Sequence, residues 1–374
     1  MKSIVIIMIF ILMFSCSKSQ IPTEPYSDGS FAIYFLKDPS ITMNHLISMD
    51  LSELQLESTP WLSDKDISFY DWSSHCIYLK NDKRHFFPDW ENNKFNEFPP
   101  EWADKPFVVT ANREKYYIGY FSNVLSHYWI APEISDGLNN GYPPDVLFID
   151  WTWLYQDYQQ NHPDVKQALM ETGLYHSGIS VTFDTTDAIV NIENADTSTI
   201  TYKFTITNND KDDLYIMDPD KSGSDLFHWF TNGPVFKNLE TGKIYESGWK
   251  TTGYLPATDY WSPDWFIKLK SGQSTIRAVI LKGYPYFPTG EYIFEFRYNG
   301  QSRGMEKEVR ERTDGRYWLG PTRSNILVMV WKADNDFSNK KNDNRQYLKK
   351  KTPQRIYSVN SLPINEYLPV SSTQ

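Results

Sequence analysis

The chain has 374 residues, with 37 Lys and Arg against 47 Asp and Glu, and a formal net charge of −10. That balance argues against nucleic acid as a partner: phosphate-backbone binding needs clustered cations, and the only such run, Lys349-Lys350-Lys351, lies in a polar tail. Cys16 and Cys76 are the only cysteines, so no disulfide framework is expected and the fold must rest on its core.

Residues 1–15 begin with Lys2, continue as an apolar run over 4–14 and close at Ser15 before Cys16. An apolar run of this length is too short for a bilayer-spanning helix, which takes about 20 residues, and fits the core of a secretory signal. A small residue directly before cysteine resembles a type II (lipoprotein) signal peptide, with Met13 and Phe14 where Leu and a small residue are commoner. The resemblance implies lipidation of Cys16, cleavage before it, and attachment of the chain to a bacterial membrane lipid. Residues 16–30 then form a tether. Lys18 and Ser19 stand where surface-exported lipoproteins carry acidic residues, which implies a protein facing the periplasm. Plain secretion, surface display and an uncleaved anchor remain the other readings.

With the signal removed, the remaining length suits two domains. The first is read over 31–173 as a small α+β domain. Residues 31–36 predict a strand, and residues 43–49 a short helix or turn. Ser63 and Asp66 have the spacing of a helix N-cap and its reaching-back partner. A strand is expected at 75–79. Residues 107–121 predict a hairpin turning at Asn112, a residue type that accepts positive φ. Residues 146–149 form a further strand. Helices are expected at 151–158 and at 163–171, the second opened by Pro163 and closed by Gly173.

From residue 174 to 332 the texture is that of an antiparallel β-sandwich. Residues 179–183 and 200–207 alternate apolar and polar, the period of a half-buried strand. Short strands follow at 214–216, 235–236, 265–269, 275–281, 292–298 and 326–331. The overall expectation is a β-rich multidomain fold, because 13 Trp, 25 Tyr and 22 Phe favour strands. Beyond 332 the composition predicts a mostly disordered tail.

Two partial resemblances go with these halves. Leu269-Lys270-Ser271-Gly272-Gln273, Leu281 and Pro288-Thr289-Gly290-Glu291-Tyr292 resemble immunoglobulin-like sandwiches, including the bacterial intracellular proteinase inhibitor (BsuPI-like) domain. Residues 62–67, 76–79, 105–112 and 130–134 resemble pieces of the periplasmic head of SecD-type translocation subunits. Both resemblances imply fold alone.

No Gly-x-Ser-x-Gly elbow, phosphate-cradling glycine loop or His-x-x-x-His spacing occurs, so no catalytic residue, cofactor or metal is read from motifs. Asp218, Asp220 and Asp225 alternate like a calcium loop, but Trp229 stands where a bidentate Glu is needed, and a plain turn is the simpler reading. Tyr254, Tyr260, Trp261 and Trp265 sit among prolines in a loop and are candidate ligand-binding aromatics for a sugar or peptide. Trp151, Leu154, Tyr155 and Tyr158 would share one helix face, as core or as a binding platform. Cys76, next to Ile77, Tyr78 and Leu79, reads as a buried thiol. The functional expectation is a membrane-anchored, non-enzymatic binding or scaffolding protein of the cell envelope. The alternatives are a carbohydrate-binding lipoprotein, a hydrolase or a protease-inhibitor-like protein.

Overall fold

The computed structural model describes residues 30–42, 49–81, 86, 102, 104–122, 132–135, 143, 145–150, 161–183, 189–192, 197–231, 233–246, 262–285, 288, 290–300, 311–312, 314–324, 327–331, 354–355 and 357–358. Within them the chain is rich in strands, with several antiparallel sheets and few helices.

The first body is a nine-stranded sheet. Its strands are β1 (Phe31–Phe35), β2 (Leu62–Ser63), β3 (Ile67–Asp71), β4 (Cys76–Leu79), β5 (Pro106–Ala111), β6 (Glu114–Ser122), β7 (Glu133–Ser135), β8 (Val146–Asp150) and β9 (Tyr175–His176). Their order is β2-β1-β5-β6-β7-β8-β4-β3-β9, with β6·β7 and β3·β9 parallel and the rest antiparallel. A short turn joins β2, at one edge, to β3, seven strand spacings away. In a flat sheet that separation is about 34 Å, whereas the four chain steps from Ser63 to Ile67 reach at most about 15 Å. The sheet is therefore curled round on itself.

Curling covers both faces of β1, β4 and β5, whereas β3 and β6 keep Ser68 and Glu114 exposed. Phe31, Ile33, Phe35, Ile77, Leu79, Leu147 and Ile149 point inward, onto helix α1 (Pro163–Glu171), which contributes Val165, Ala168 and Leu169. On the outside, Ala32, Tyr34 and Leu36 are packed under Leu54 and Leu56. Cys76, Tyr78, Val146 and Phe148 meet Leu319 of the second body. The 107–121 hairpin forms as its sequence predicts, with Asn112 and Arg113 both at positive φ (49° and 73°) and Ala111 facing Glu114.

Residues 63–66 do not start a helix. The backbone N–H and Oγ of Ser63 both donate to Asp66 Oδ2 at 2.9 Å, so the reaching-back contact is made. It closes a turn, because Leu62 is already paired to Ile33 and Ile67 enters the next strand. The segments 43–48 and 151–158 lie outside the described residues. The sheet runs on to His176, so the changeover to the second body falls at Ser177-Gly178.

The second body contains β10 (Ile179–Phe183), β11 (Ile189–Ile192), β12 (Thr197–Asn208), β13 (Leu214–Met217), β14 (Pro234–Asn238), β15 (Ile244–Tyr245), β16 (Phe266–Leu269) and β17 (Ser274–Pro285). It continues with β18 (Gly290–Asn299), β19 (Glu311–Arg312), β20 (Gly315–Tyr317), β21 (Pro321–Arg323), β22 (Leu327–Trp331), β23 (Gln354–Arg355) and β24 (Tyr357–Ser358). The sheet around β12 carries β10, β11 and β17, and faces the sheet built on β14, β18 and β22. Phe183 meets Phe294 edge-on at 4.7 Å, and Phe204 lies 5.4 Å from Phe296. Tyr202, Phe227, Tyr298 and Trp318 complete this aromatic core, and a buried side chain of this size stabilises by about 1.5–3 kcal/mol. A smaller sheet, β16-β13-β20-β19, closes one end.

Residues 218–225 are not a plain turn but carry one short helix and the start of another, broken at Gly223. Asp218 caps the short helix α2 (Pro219–Ser222), accepting from Asp220 N–H, and α3 (Ser224–Thr231) follows and inserts Phe227 into the core. In the tail, residues 354–355 and 357–358 depart from the expected disorder by pairing with β11 and β22. No described helix is long and apolar enough to cross a membrane.

Candidate functional site

A group of buried polar side chains lies where the two bodies meet. Asp71 ends β3 and is paired with His176, which ends β9. The tight turn after β3 brings Ser73 alongside, and its Oγ donates to Asp71 Oδ1 at 2.7 Å. From the second body come Asp210, in the turn after β12, and Arg316 on β20. Asp71, His176, Asp210 and Arg316 are all buried.

Arg316 Nη2 donates to Asp71 Oδ2 and to Asp210 Oδ2, each at 2.9 Å. One guanidinium thus ties a carboxylate of each body. Its central carbon, Cζ, lies over the Phe69 ring, 4.9 Å from the centroid, and 5.7 Å from that of Tyr78, a cation–π arrangement. Among the described residues, Arg316 Nε and Nη1 have no hydrogen-bond partner. Burial works against the arginine's charge, but the two carboxylates outweigh it and hold the group above its ordinary range.

Asp210 accepts at both oxygens: His176 Nδ1 at 3.0 Å and Asp212 N–H at 3.1 Å on one, Arg316 and Gly178 N–H on the other. Burial alone would raise its carboxyl. The bond from His176 and the charge of Arg316 bring it well below the usual range instead. An ionised carboxylate only accepts, so His176 Nδ1 carries the proton in this contact.

Two glycines make the close approach possible. Gly178 has φ +66°, and a Cβ there would lie 2.0 Å from Ser73 Oγ. Gly320 has φ +96°, and a Cβ there would lie 2.6 Å from Ser74 Cβ and 2.9 Å from Cys76 Sγ. Neither position has room for a side chain. Ser73 Oγ also accepts from Ile179 N–H and from Trp318 Nε1, both at 3.0 Å. A second link joins Arg297 Nη2 on β18 to both oxygens of Asp150 on β8, at 3.0 and 3.1 Å.

Ser, His and Asp are all present here, but the connections are not those of a nucleophilic triad, in which a histidine takes the serine proton. Ser73 gives its proton to Asp71. His75, on the far side of the turn, faces Tyr70 Oη at 2.9 Å through Nδ1. Burial lowers the His75 imidazole to about 3, with Asn161 opposing and Arg323 adding to the shift. His176, Asp210 and Asp212 bring possible ligand atoms within 4.8 Å of one another. His176 Nδ1 donates to Asp210, whose charge is balanced by Arg316, so the trio is engaged here as a hydrogen-bonded set.

The residues singled out by sequence fall elsewhere. Asp218 holds Arg277 through two bonds, from Nε at 2.5 Å and Nη2 at 2.8 Å, and Asp220 lies 3.2 Å from the same Nε. A guanidinium stands where calcium would, and Asp225 lies in α3. Trp265 ends a single turn of 3-10 helix and is half-buried, 6.2 Å from Phe230. Tyr254, Tyr260 and Trp261 lie outside the described residues, as does Cys16. Cys76 is fully buried, and burial pushes its thiol far up, away from reactivity. The sequence reading missed Asp71, Ser73, His176, Asp210 and Arg316, which stand up to 245 residues apart. The available signal was local: Gly178 and Gly320, single glycines beside strand-like runs.

No protein-family model, curated protein or solved structure matches the chain.

Proposed function

We propose that the chain is a lipid-anchored protein of the bacterial cell envelope, held at a membrane through Cys16 and facing the periplasm, where it binds or scaffolds other envelope components. The supporting observation is the use made of its buried polar groups. Asp71, Ser73, His176 and Asp210 are engaged in holding one body to the other, and together with Arg316 they stiffen the molecule into a single unit. A rigid pair of β-bodies on a short tether presents surfaces rather than a reaction centre. The Ser15-Cys16 junction behind its apolar run supports the anchor.

Fatty-acid labelling of the wild type and of Cys16→Ala tests this reading. Label and membrane retention in the wild type, both lost in the variant, are expected. Equal labelling of the two proteins would overturn the anchor. Binding is tested by crosslinking in intact cells, where envelope components should be recovered with the wild type and fewer with a Cys16→Ala protein released from the membrane.

A further inference from the structure

The outer face of the β10-β12-β17 sheet differs from the rest of this acidic protein. Its described outward positions are Ser180 and Thr182 on β10, Thr201, Lys203, Thr205 and Thr207 on β12, and Ser274, Ile276, Ala278 and Ile280 on β17. None is acidic, in a chain with 47 Asp and Glu. Ile276 and Ile280 are 66% and 56% exposed, the two most exposed large hydrophobic residues described. Both lie on β17, which spans 12 residues and pairs with β12 along one side. Among the described residues no strand pairs with its other side. A long edge with an apolar outward row is a template for another strand, and exposed edges are ordinarily blunted by charge, bulges or brevity. Helices α2 and α3 approach β17 from the side of Arg277, and Arg277 Nη1 donates to Ile276 O at 2.8 Å.

The row Ile276-x-Ala278-x-Ile280 reads the same in both directions. We infer that β17 is a self-association edge, pairing antiparallel with β17 of a second copy about a two-fold axis at Ala278. In that register each Ile276 faces the other copy's Ile280, and Ala278 faces its equivalent. Arg277 lies opposite Val279 rather than opposite another arginine, and its charge is already held by Asp218. Two copies of a chain with net charge −10 repel over most of their surface, whereas the outward row of β17 carries no acid and the nearby Asp218 and Asp220 are held against Arg277. The pattern is self-complementary, as a two-fold interface requires. A strand pair with four isoleucines is a small interface, so the association is weak and depends on concentration.

The test uses the full chain. Ala278→Cys should give a covalent dimer under mild oxidation, in several-fold excess over Thr182→Cys on the opposite flank of the sheet. Adding Ile280→Lys to Ala278→Cys should reduce it to the Thr182→Cys level. Sedimentation over a wide concentration range should show a dimer that Ile280→Lys, or Ile276→Lys if the first variant loses its circular dichroism, converts to monomer. Equal crosslinking of Ala278→Cys and Thr182→Cys would overturn the proposal. So would wild type and folded lysine variants sedimenting alike, which would leave a strand from another protein as the occupant.

Discussion

Strand β1 of the curled sheet is buried at all five positions, whereas β10 of the sandwich alternates buried and more exposed residues from Ile179 to Phe183. Both patterns were written in the sequence, the first as a continuous apolar run and the second as period-2 alternation. The difference lies in what each sheet must cover. Where the sheet is both curled around the helix and clad outside, as along β1 and β4, a strand has no wet face and reads as a continuous apolar run. A two-sheet body keeps an outer face in water, which is where Thr182 and Lys203 stand. The junction between the bodies follows neither rule, because it buries charge.

Breaking that junction should have the largest effect. Arg316→Ala leaves Asp71 and Asp210 buried without their cation, and removing one partner of such a set costs about 3–5 kcal/mol. Urea unfolding of the full chain should show it. A loss below about 1 kcal/mol would mean that apolar contact at Leu319 suffices to join the bodies. Acid comes next. His75 is neutral in the folded chain down to about pH 3, while an unfolded histidine takes its proton near 6.5. Between those values the unfolded state binds the extra proton, so stability is full above about pH 6.5 and declines by up to about 1.4 kcal/mol per unit as pH falls. Asp210, whose carboxyl is depressed, extends the decline below about pH 4. His75→Gln should flatten the upper part of this profile, and an unchanged slope would assign it to other groups.

A smaller effect separates close approach from turn geometry. Gly178→Ala should cost about 2–3 kcal/mol through the contact with Ser73 and the positive φ together. Gly272→Ala, at φ +74° with nothing within 4 Å, should cost about 1 kcal/mol from φ alone. Equal thermal shifts in the two would mean that the bodies do not press together at Gly178. The smallest change has the opposite sign. Arg113→Gly in the hairpin turn removes a non-glycine residue from φ 73° and should stabilise by about 0.5–1 kcal/mol. A melting temperature that falls would show that the arginine side chain matters there.

Sequence reading located most strands because burial is written locally. Residues 146–149, 179–183 and 292–298 needed only composition and period, and α1 only Pro163 and Gly173. Residues 63–66 misled because Ser and Asp three apart serve a strand turn as well as a helix start. Helix α3 was missed although Asp218 and Pro219 carry the cap and first-turn preferences that open α2 just before it. The junction had no local signature. Nothing near Asp71 marks it as the partner of Arg316, since long-range ion pairs depend on topology rather than on neighbours.

Between His176, the last residue of the curled sheet, and Ile179, the first of the sandwich, stand only Ser177 and Gly178. Strand β9 closes the sheet beside β3, and two residues later the chain is committed to the other body, with Ile179 N–H bonded to Ser73 of the first. One segment finishes one structure and begins the next. Architecture divides there, but cooperativity does not: melting either side removes bonds that the other needs. Heating should therefore give one calorimetric transition for both bodies, with the van't Hoff enthalpy equal to the measured one, and a fragment cut at residue 173 should be no autonomous folding unit.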